Sequence, residues 1–531
     1  MRCAKLLLFF CVLLLCACAE QRPKHIRVVC TGDVHGHLFP YDHLTGKPLE
    51  GSLARVSTFL NELRGQGSVV YIDNGDMLQG TPATYCYNTY AVGKTHIAAE
   101  VLNYLQCDAV VMGNNDIEPG GATYQRYMND LHAPLLGANI EYEGTDTPFA
   151  TPYTIVEIEG VKIAVLGLTT SAIPYGVPQC QWTELEFEEM ERTAQRWVEH
   201  LQSHVNPDII VGLFHSGLEG GFETDKVVAN ATKRVAERVV GFDAVFYGHD
   251  HQARVSEVVN VDGDTVLLLN PGLNAQKVAM LDIVSSSEGT YKLKGLLVSM
   301  DDYAPDADYM EAFATHRERV DKYVGRTIGM SNRMATMEDV LEGPSALVDF
   351  MHQMQLDVSS AQISFTAPLV RDAFIPEGTV RVEDIYRLYP YENFLYVLWL
   401  TGEEVKNYLE FSYDKWLSLD SHPEMGGYAD SAAGIVYKVY ADKPKGSRVD
   451  ILRMADGTTF ELDKYYRVAL NSYRALGGGG FITEGAGIGY DELAQRVVTM
   501  ETADLRFQMI NYIEMRKEIS PQAFNQWEFV K

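Results

Sequence analysis

Between Ile26 and Val298, short β-branched apolar runs alternate with helical patterns, and a polar residue capable of chemistry follows run after run. Ile26–Cys30, Val69–Ile72, Ala109–Met112, Ile163–Leu168, Ile209–Phe214 and Ala244–Tyr247 read as buried strands. Leu53–Leu63, His96–Leu105, Glu184–His204 and Thr224–Val240 read as the helices between them. Few architectures accommodate that alternation other than a layered α/β domain. Thr265–Leu269, Val278–Val284 and Leu293–Val298 close it as strands without helices between them.

In α/β sheets, ligands collect beyond the carboxyl ends of strands, so the residues that follow each run carry the most information. The first run is followed by Thr31-Gly32-Asp33-Val34-His35-Gly36-His37 and the second by Asp73-Asn74-Gly75-Asp76. Later runs end in Gly113-Asn114-Asn115-Asp116, His215-Ser216-Gly217 and Gly248-His249-Asp250-His251. A lone Asp-x-His pair would read as a turn with a solvated histidine; five strand ends carrying Asp, Asn or His do not. Two divalent ions about 3.5–4 Å apart need roughly seven oxygen and imidazole donors, one of them a bridging carboxylate. Asp33, His35, Asp76, Asn114, His215, His249 and His251 supply such a set.

At 531 residues the chain exceeds one ordinary core. A charged helical stretch ending in His316-Arg317-Glu318-Arg319-Val320-Asp321-Lys322 separates the first patterned region from a second. In that second region helices are expected near Ser345–Gln355, Gly402–Ser412 and Thr502–Met515, and strands near Ile435–Val439 and Tyr466–Leu470. A formal net charge of −28 repels polyphosphate backbones, which argues against a nucleic-acid polymer as partner. A small anionic substrate would need a local cation to overcome that field, and a metal provides one.

Arg2 and Lys5 precede the apolar run Leu6–Leu15, shorter than the roughly 20 residues of a spanning helix, so residues 1–17 are expected to be a secretion signal. Leu15-Cys16-Ala17-Cys18 resembles a bacterial lipobox, with Cys18 as the lipidated residue. The expectation is a periplasmic or cell-envelope lipoprotein that meets the membrane only through its lipid anchor, with simple cleavage as the alternative. Beyond the signal, Cys30, Cys86, Cys107 and Cys180 form no Cys-x-x-Cys, so neither a disulfide framework nor a thiolate zinc site is indicated. Oligomeric state leaves no mark in the sequence.

Through Asp33-Val34-His35, Asn74-Gly75-Asp76, Gly113-Asn114, Phe214-His215-Ser216-Gly217 and Gly248-His249-Asp250-His251, the chain resembles the calcineurin-like metallophosphoesterases. Over its mature length it resembles the bacterial 5′-nucleotidase and 2′,3′-cyclic-nucleotide 2′-phosphodiesterase family. The resemblance implies a four-layer α-β-β-α sandwich over residues 18–302, a connector helix over 303–326 and an α+β nucleotide-specificity domain over 327–531. It further implies that Asp33, His35 and His251 hold one divalent ion and Asn114, His215 and His249 a second, with Asp76 bridging. Zinc, manganese, iron, magnesium and cobalt all remain open.

The family carries histidine where this chain has Asn115, and that histidine stabilises the transition state or protonates the leaving oxygen. A neutral amide can donate a hydrogen bond but cannot deliver a proton. His37 is the nearest sequence candidate for a compensating acid. Tyr391, directly after Pro390, and Tyr473, ahead of Gly477–Gly480, match the positions of two rings that sandwich the nucleobase in the family. Where 5′-mononucleotide branches carry Asn-Gly-Gly-Gly-Ile-Arg, this chain reads Ala361-Gln362-Ile363-Ser364-Phe365-Thr366, and where they carry Gly-Gly-Asp-Gly it has four glycines. The expected activity is therefore hydrolysis of nucleotides outside the cytoplasm, with 2′,3′-cyclic nucleotides and 3′-mononucleotides favoured over 5′-nucleotides. The alternative is a catalytically weakened, metal-binding protein that captures nucleotides.

Overall fold

The computed structural model describes residues 24–224, 227–286, 290–337, 340, 343–370, 372–418 and 430–530. The expected signal and Cys18 lie outside the described residues. No helix among them is long and apolar enough to cross a membrane.

Two six-stranded sheets build the N-terminal domain. In the first, the order is Tyr291–Ser299, Lys277–Ser285, His25–Thr31, Ser68–Asp73, Ala109–Val111 and Leu135–Leu136. In the second it is Arg254–Val259, Thr265–Asn270, Ala244–Tyr247, Ile209–His215, Val161–Thr169 and Tyr153–Ile158. The central strands run parallel and are covered on both faces, which is why Ile209–His215 is buried at every position. Ile26, Val28, Ile72 and Val111 of one sheet pack with Val165, Val211, Leu213 and Phe246 of the other. Helices cover the outer faces, Leu53–Arg64 and Ile97–Tyr104 on the first sheet and Met190–His200 and Thr232–Arg238 on the second. The result is an α-β-β-α sandwich.

Two helices are shorter than their sequence patterns. Glu184–His204 contains the strand Leu185–Phe187, which pairs with Ile140–Tyr142, and its α-helix begins only at Met190. Within Thr224–Val240 the helix is confined to Thr232–Arg238, with the turn before it held by Ser216. The connector is two helices, Ala307–Ala312 and Ala314–Val324, that meet at the buried Phe313. Both lie against the N-terminal domain. Asp306 accepts from Ser57 and Asn61, Tyr309 donates to the Leu38 carbonyl, and the His316 ring stacks on Tyr87.

The C-terminal domain centres on a five-stranded sheet ordered Ser431–Ala433, Ile363–Thr366, Tyr465–Asn471, Phe394–Thr401 and Val497–Asp504. Helices Ala346–Ser359, Gly402–Leu417 and Leu505–Arg516 accompany it. Thr401 and Glu404 form a capping box that starts the second of these: Thr401 Oγ accepts from the Glu404 amide, and the Glu404 carboxylate from the Thr401 amide. Leu395 lies opposite Asn471, so the segments before Phe394 and after Asn471 leave the sheet at the same end. Just before that end, Glu392 Oε1 accepts the Gly80 amide of the N-terminal domain.

Candidate metal centre

Three of the five strand-end loops deliver their side chains from a backbone held in an unusual conformation. Asp33, His35, Asp76, His249 and His251 all have positive φ, between +47° and +72°. Left-handed backbone costs a non-glycine residue about 1–2 kcal/mol, so the fold maintains considerable local strain to aim these five side chains. The loops hold one another through the backbone: Asp33 N–H donates to Gly75 O at 3.0 Å, and His35 N–H to Asp76 O at 2.9 Å. The Asp33 carboxylate accepts the His249 amide at 3.0 Å.

Four side chains, Asp33, His35, Asp76 and His251, present donor atoms within 4.8 Å of one another. Asp76, His215 and His249 do the same in a second group, and Asp76 is common to both. Asn114 joins the second group, its Oδ1 lying 3.1 Å from His215 Nε2. All seven residues singled out at the strand ends are thus brought together.

Hydrogen bonding fixes which imidazole nitrogen is free. His35 Nδ1 is 3.1 Å from Gln79 O, and His215 Nδ1 is 2.7 Å from Asn74 O. A carbonyl only accepts, so Nδ1 carries the hydrogen in both rings and Nε2 of the neutral ring presents a lone pair. His35 Nε2 faces His251 Nε2 at 3.1 Å, while His215 Nε2 faces Asn114 Oδ1 at 3.1 Å and Asp76 Oδ2 at 3.2 Å. Converging acceptors of this kind call for a positive charge among them. Burial opposes charge on His215, yet Asp76 beside it pushes its pKa up to about 10. Burial likewise opposes ionisation of Asp76, but His215, His35 and His249 hold its carboxyl well below the usual carboxylate range. Imidazole and carboxylate donors in two groups sharing one carboxylate fit divalent transition metals.

Asn115 turns toward the shared carboxylate. Its side-chain amide donates to Asp76 Oδ2 at 2.8 Å, and its backbone N–H to Asp76 Oδ1 at 2.7 Å. His37 lies in neither donor group: its Nδ1 caps the Val34 carbonyl, and its ring lines a separate cleft with Phe39, Tyr41 and His43.

Three buried or partly buried carboxylates support the ligand loops without joining either group, and motif reading assigned them no role. Asp116 accepts four backbone amides, those of Gly113, Asp76, Met77 and Leu78. Asp250 accepts from the Leu218 and Gln252 amides and from Asn270. Asp73 accepts from Thr31 and the Gly75 amide. A short acidic residue inside a Gly- and Asn-rich turn is the only sequence signal for such a part.

In the C-terminal domain Tyr391 and Tyr473 are each 55% exposed, unlike most tyrosines of the chain. They flank the strand end at which the Phe394 amide donates to Ser472. Gly478 passes so close to Tyr473 that a Cβ there would sit 2.5 Å from its ring. Ile363–Thr366 is a fully buried strand, with Phe365 stacked on Tyr408 and Ser364 bonded to His352 and Gln355.

The pattern of the calcineurin-like phosphoesterases matches residues 26–253, and that of the 5′-nucleotidase C-terminal domain matches residues 323–485. The chain is 24% identical to the trifunctional nucleotide phosphoesterase protein YfkN of Bacillus subtilis (strain 168), over 95% of this chain and 39% of that protein. It therefore spans well under half of that relative's length. It is also 24% identical to a 2′,3′-cyclic-nucleotide 2′-phosphodiesterase/3′-nucleotidase of Haemophilus influenzae, over 95% of this chain and 87% of that protein. The 5′-nucleotidase precursor of Thermus thermophilus shares the fold with a TM-score of 0.60 at 21% identity, covering 96% of this chain and 99% of that one.

Proposed function

We propose that this chain, which matches the calcineurin-like phosphoesterases over residues 26–253 and the 5′-nucleotidase C-terminal domain over residues 323–485, is a two-metal nucleotide phosphoesterase working outside the cytoplasm. The observation that carries this reading is the sharing of Asp76 between two donor groups. Asp33, His35 and His251 would hold one ion and Asn114, His215 and His249 the other, with Asp76 available to both. Two divalent ions, when bound, supply a Lewis acid for the phosphoryl oxygen and a strong nucleophile at neutral pH. The protein's own part is positional. Gln79 and Asn74 orient the His35 and His215 rings through their carbonyls, and Asn115 restrains Asp76 through two hydrogen bonds.

Tyr391 and Tyr473 stack the base, so the substrate lies between the domains. Cyclic 2′,3′-nucleotides and 3′-mononucleotides are favoured because Ile363–Thr366 commits its side chains to the core and none to gripping a 5′-phosphate. The signal pattern and Cys18 support lipid anchoring in the cell envelope.

Assay of metal-reconstituted protein against 2′,3′-cyclic nucleotides, 3′- and 5′-monophosphates and an aryl phosphodiester tests the reading. Turnover greatest on the cyclic and 3′ substrates supports it; no turnover on any, alongside measurable nucleotide binding, would overturn it in favour of a nucleotide-capturing protein. That second reading is motivated by the side-chain amide of Asn115, which is engaged with Asp76 and has no proton to give.

A further inference from the structure

The exposed Tyr391 sits between residues that one buried cation holds in place. Arg506 has no solvent exposure. Its Nε donates to Tyr389 O at 3.2 Å, its Nη2 donates to Pro390 O, and its Nη1 lies 3.5 Å from Glu392 Oε1. Three arms of one guanidinium thus grip the two residues before Tyr391 and the one after it. The guanidinium plane is itself fixed, with its carbon 4.0 Å from the Tyr386 ring centroid and 4.7 Å from that of Tyr85. Tyr386 belongs to the C-terminal domain and Tyr85 to the N-terminal one, so Arg506 lies in the junction between them. Tyr85 also donates to Asp504, which caps the helix that carries Arg506.

The grip continues to the metal centre. Glu392 Oε1 accepts the Gly80 amide at 3.2 Å, and Gly80 follows Gln79, whose carbonyl fixes the His35 ring. No side chain fits at Gly80, because a Cβ would lie 2.5 Å from His35 O. A tyrosine at an exposed loop tip would otherwise sample many positions. Here it is linked through Glu392 and Gly80 to a loop that carries a candidate ligand.

We propose that Arg506 is a positioning residue that, with Glu392, holds Tyr391 at a set place relative to the metal centre so that the ring meets the base of a substrate whose phosphate is bound there. The proposal rests on the reading of Tyr391 as a base-stacking residue. Lysine keeps the charge but lacks the planar fork that engages two carbonyls and a carboxylate at once.

The test compares Arg506→Lys, Glu392→Gln, Tyr391→Ala and the Tyr391→Ala/Arg506→Lys double variant on a 2′,3′-cyclic nucleotide and on bis(4-nitrophenyl) phosphate, which has no base. Arg506→Lys is expected to raise KM for the nucleotide about tenfold, the scale of one lost stacking contact, with kcat/KM on the aryl ester within twofold of wild type. Glu392→Gln is expected to shift the nucleotide KM in the same direction by less. The double variant is expected to match Tyr391→Ala alone, because a ring that is absent cannot be misplaced. Equal losses on both substrates, or additive losses in the double variant, would overturn the proposal in favour of a merely structural arginine. Should Arg506→Lys fail to fold, as judged by its thermal transition, Glu392→Gln decides alone: an unchanged nucleotide KM overturns the proposal. An effect of Tyr391→Ala with none from Arg506→Lys overturns the positioning role and leaves the base-stacking reading standing. No effect from Tyr391→Ala removes that reading itself.

Discussion

The side-chain amide of Asn115 donates to Asp76 Oδ2 at 2.8 Å while the Asn115 backbone N–H donates to Oδ1 at 2.7 Å. Asn115 is therefore a restraint on the carboxylate shared by both donor groups. Partners that orient a ligand are worth about 10–100-fold in metal affinity. Asn115→Ala is expected to weaken binding of the second metal equivalent by about tenfold in a competition titration with a chelator. Unchanged affinity would mean that the backbone N–H suffices.

Asp116 accepts four backbone amides from the two loops that carry Asp76 and Asn114. Asp116→Ala leaves those amides buried without partners, each at a cost of about 1–3 kcal/mol before relaxation. A loss of about 3–5 kcal/mol in urea unfolding is expected, together with loss of metal, although Asp116 is not among the proposed ligands. Wild-type stability in the variant would show that water satisfies the loop.

The proposed base-stacking role gives each of Tyr391 and Tyr473 a stacking face worth about 1–3 kcal/mol, which alanine would remove. Each variant is expected to raise KM for a nucleotide about five- to hundredfold and to leave kcat/KM on bis(4-nitrophenyl) phosphate unchanged. Parallel losses on both substrates would place these rings outside base recognition.

Acid sensitivity has an identifiable source away from the metal loops. His352 is fully buried between Ser364 and Ser431, and burial pushes its pKa down to about 3. His96, capping the helix Ile97–Tyr104, is pushed down to about 3 by burial and then by Arg126. A folded-state value below the ordinary 6.5 means that the unfolded chain binds more protons between the two. Stability is therefore full above about pH 6.5 and lost as pH falls toward 3, by about 1.4 kcal/mol per pH unit for each histidine. His352→Asn is expected to flatten urea-derived stability between pH 6.5 and 4 by about that slope; a slope equal to wild type would assign the acid loss elsewhere.

Much of the site is legible in the sequence because the strand ends of a parallel sheet deliver their next residues to one edge. Asp33 and Asp76 follow strands of one sheet and His215 and His249 strands of the other, and the packing of the two sheets brings them to the same crevice. The supporting carboxylates were not legible. Asn114, Asn115 and Asp116 are consecutive polar residues, and only the turn of the short helix Asn114–Ile117 decides that Asp116 points inward to amides while Asn115 reaches Asp76. Arg506 was hidden for a related reason: its partner Tyr389 is 117 positions away, and no local pattern encodes that contact. The helical reading of Glu184–His204 failed at Leu185–Phe187 because pairing with Ile140–Tyr142 is non-local and overrides helical spacing.

The most direct test of the central claim is metal content measured together with turnover, in wild type and in Asp76→Asn. The account predicts two equivalents of a divalent transition metal per wild-type chain, hydrolysis of a 2′,3′-cyclic nucleotide, and in Asp76→Asn loss of both equivalents with at least a roughly 10³-fold fall in rate. A variant that keeps its metal and its turnover would contradict the sharing of Asp76, and with it the two-metal reading of this site.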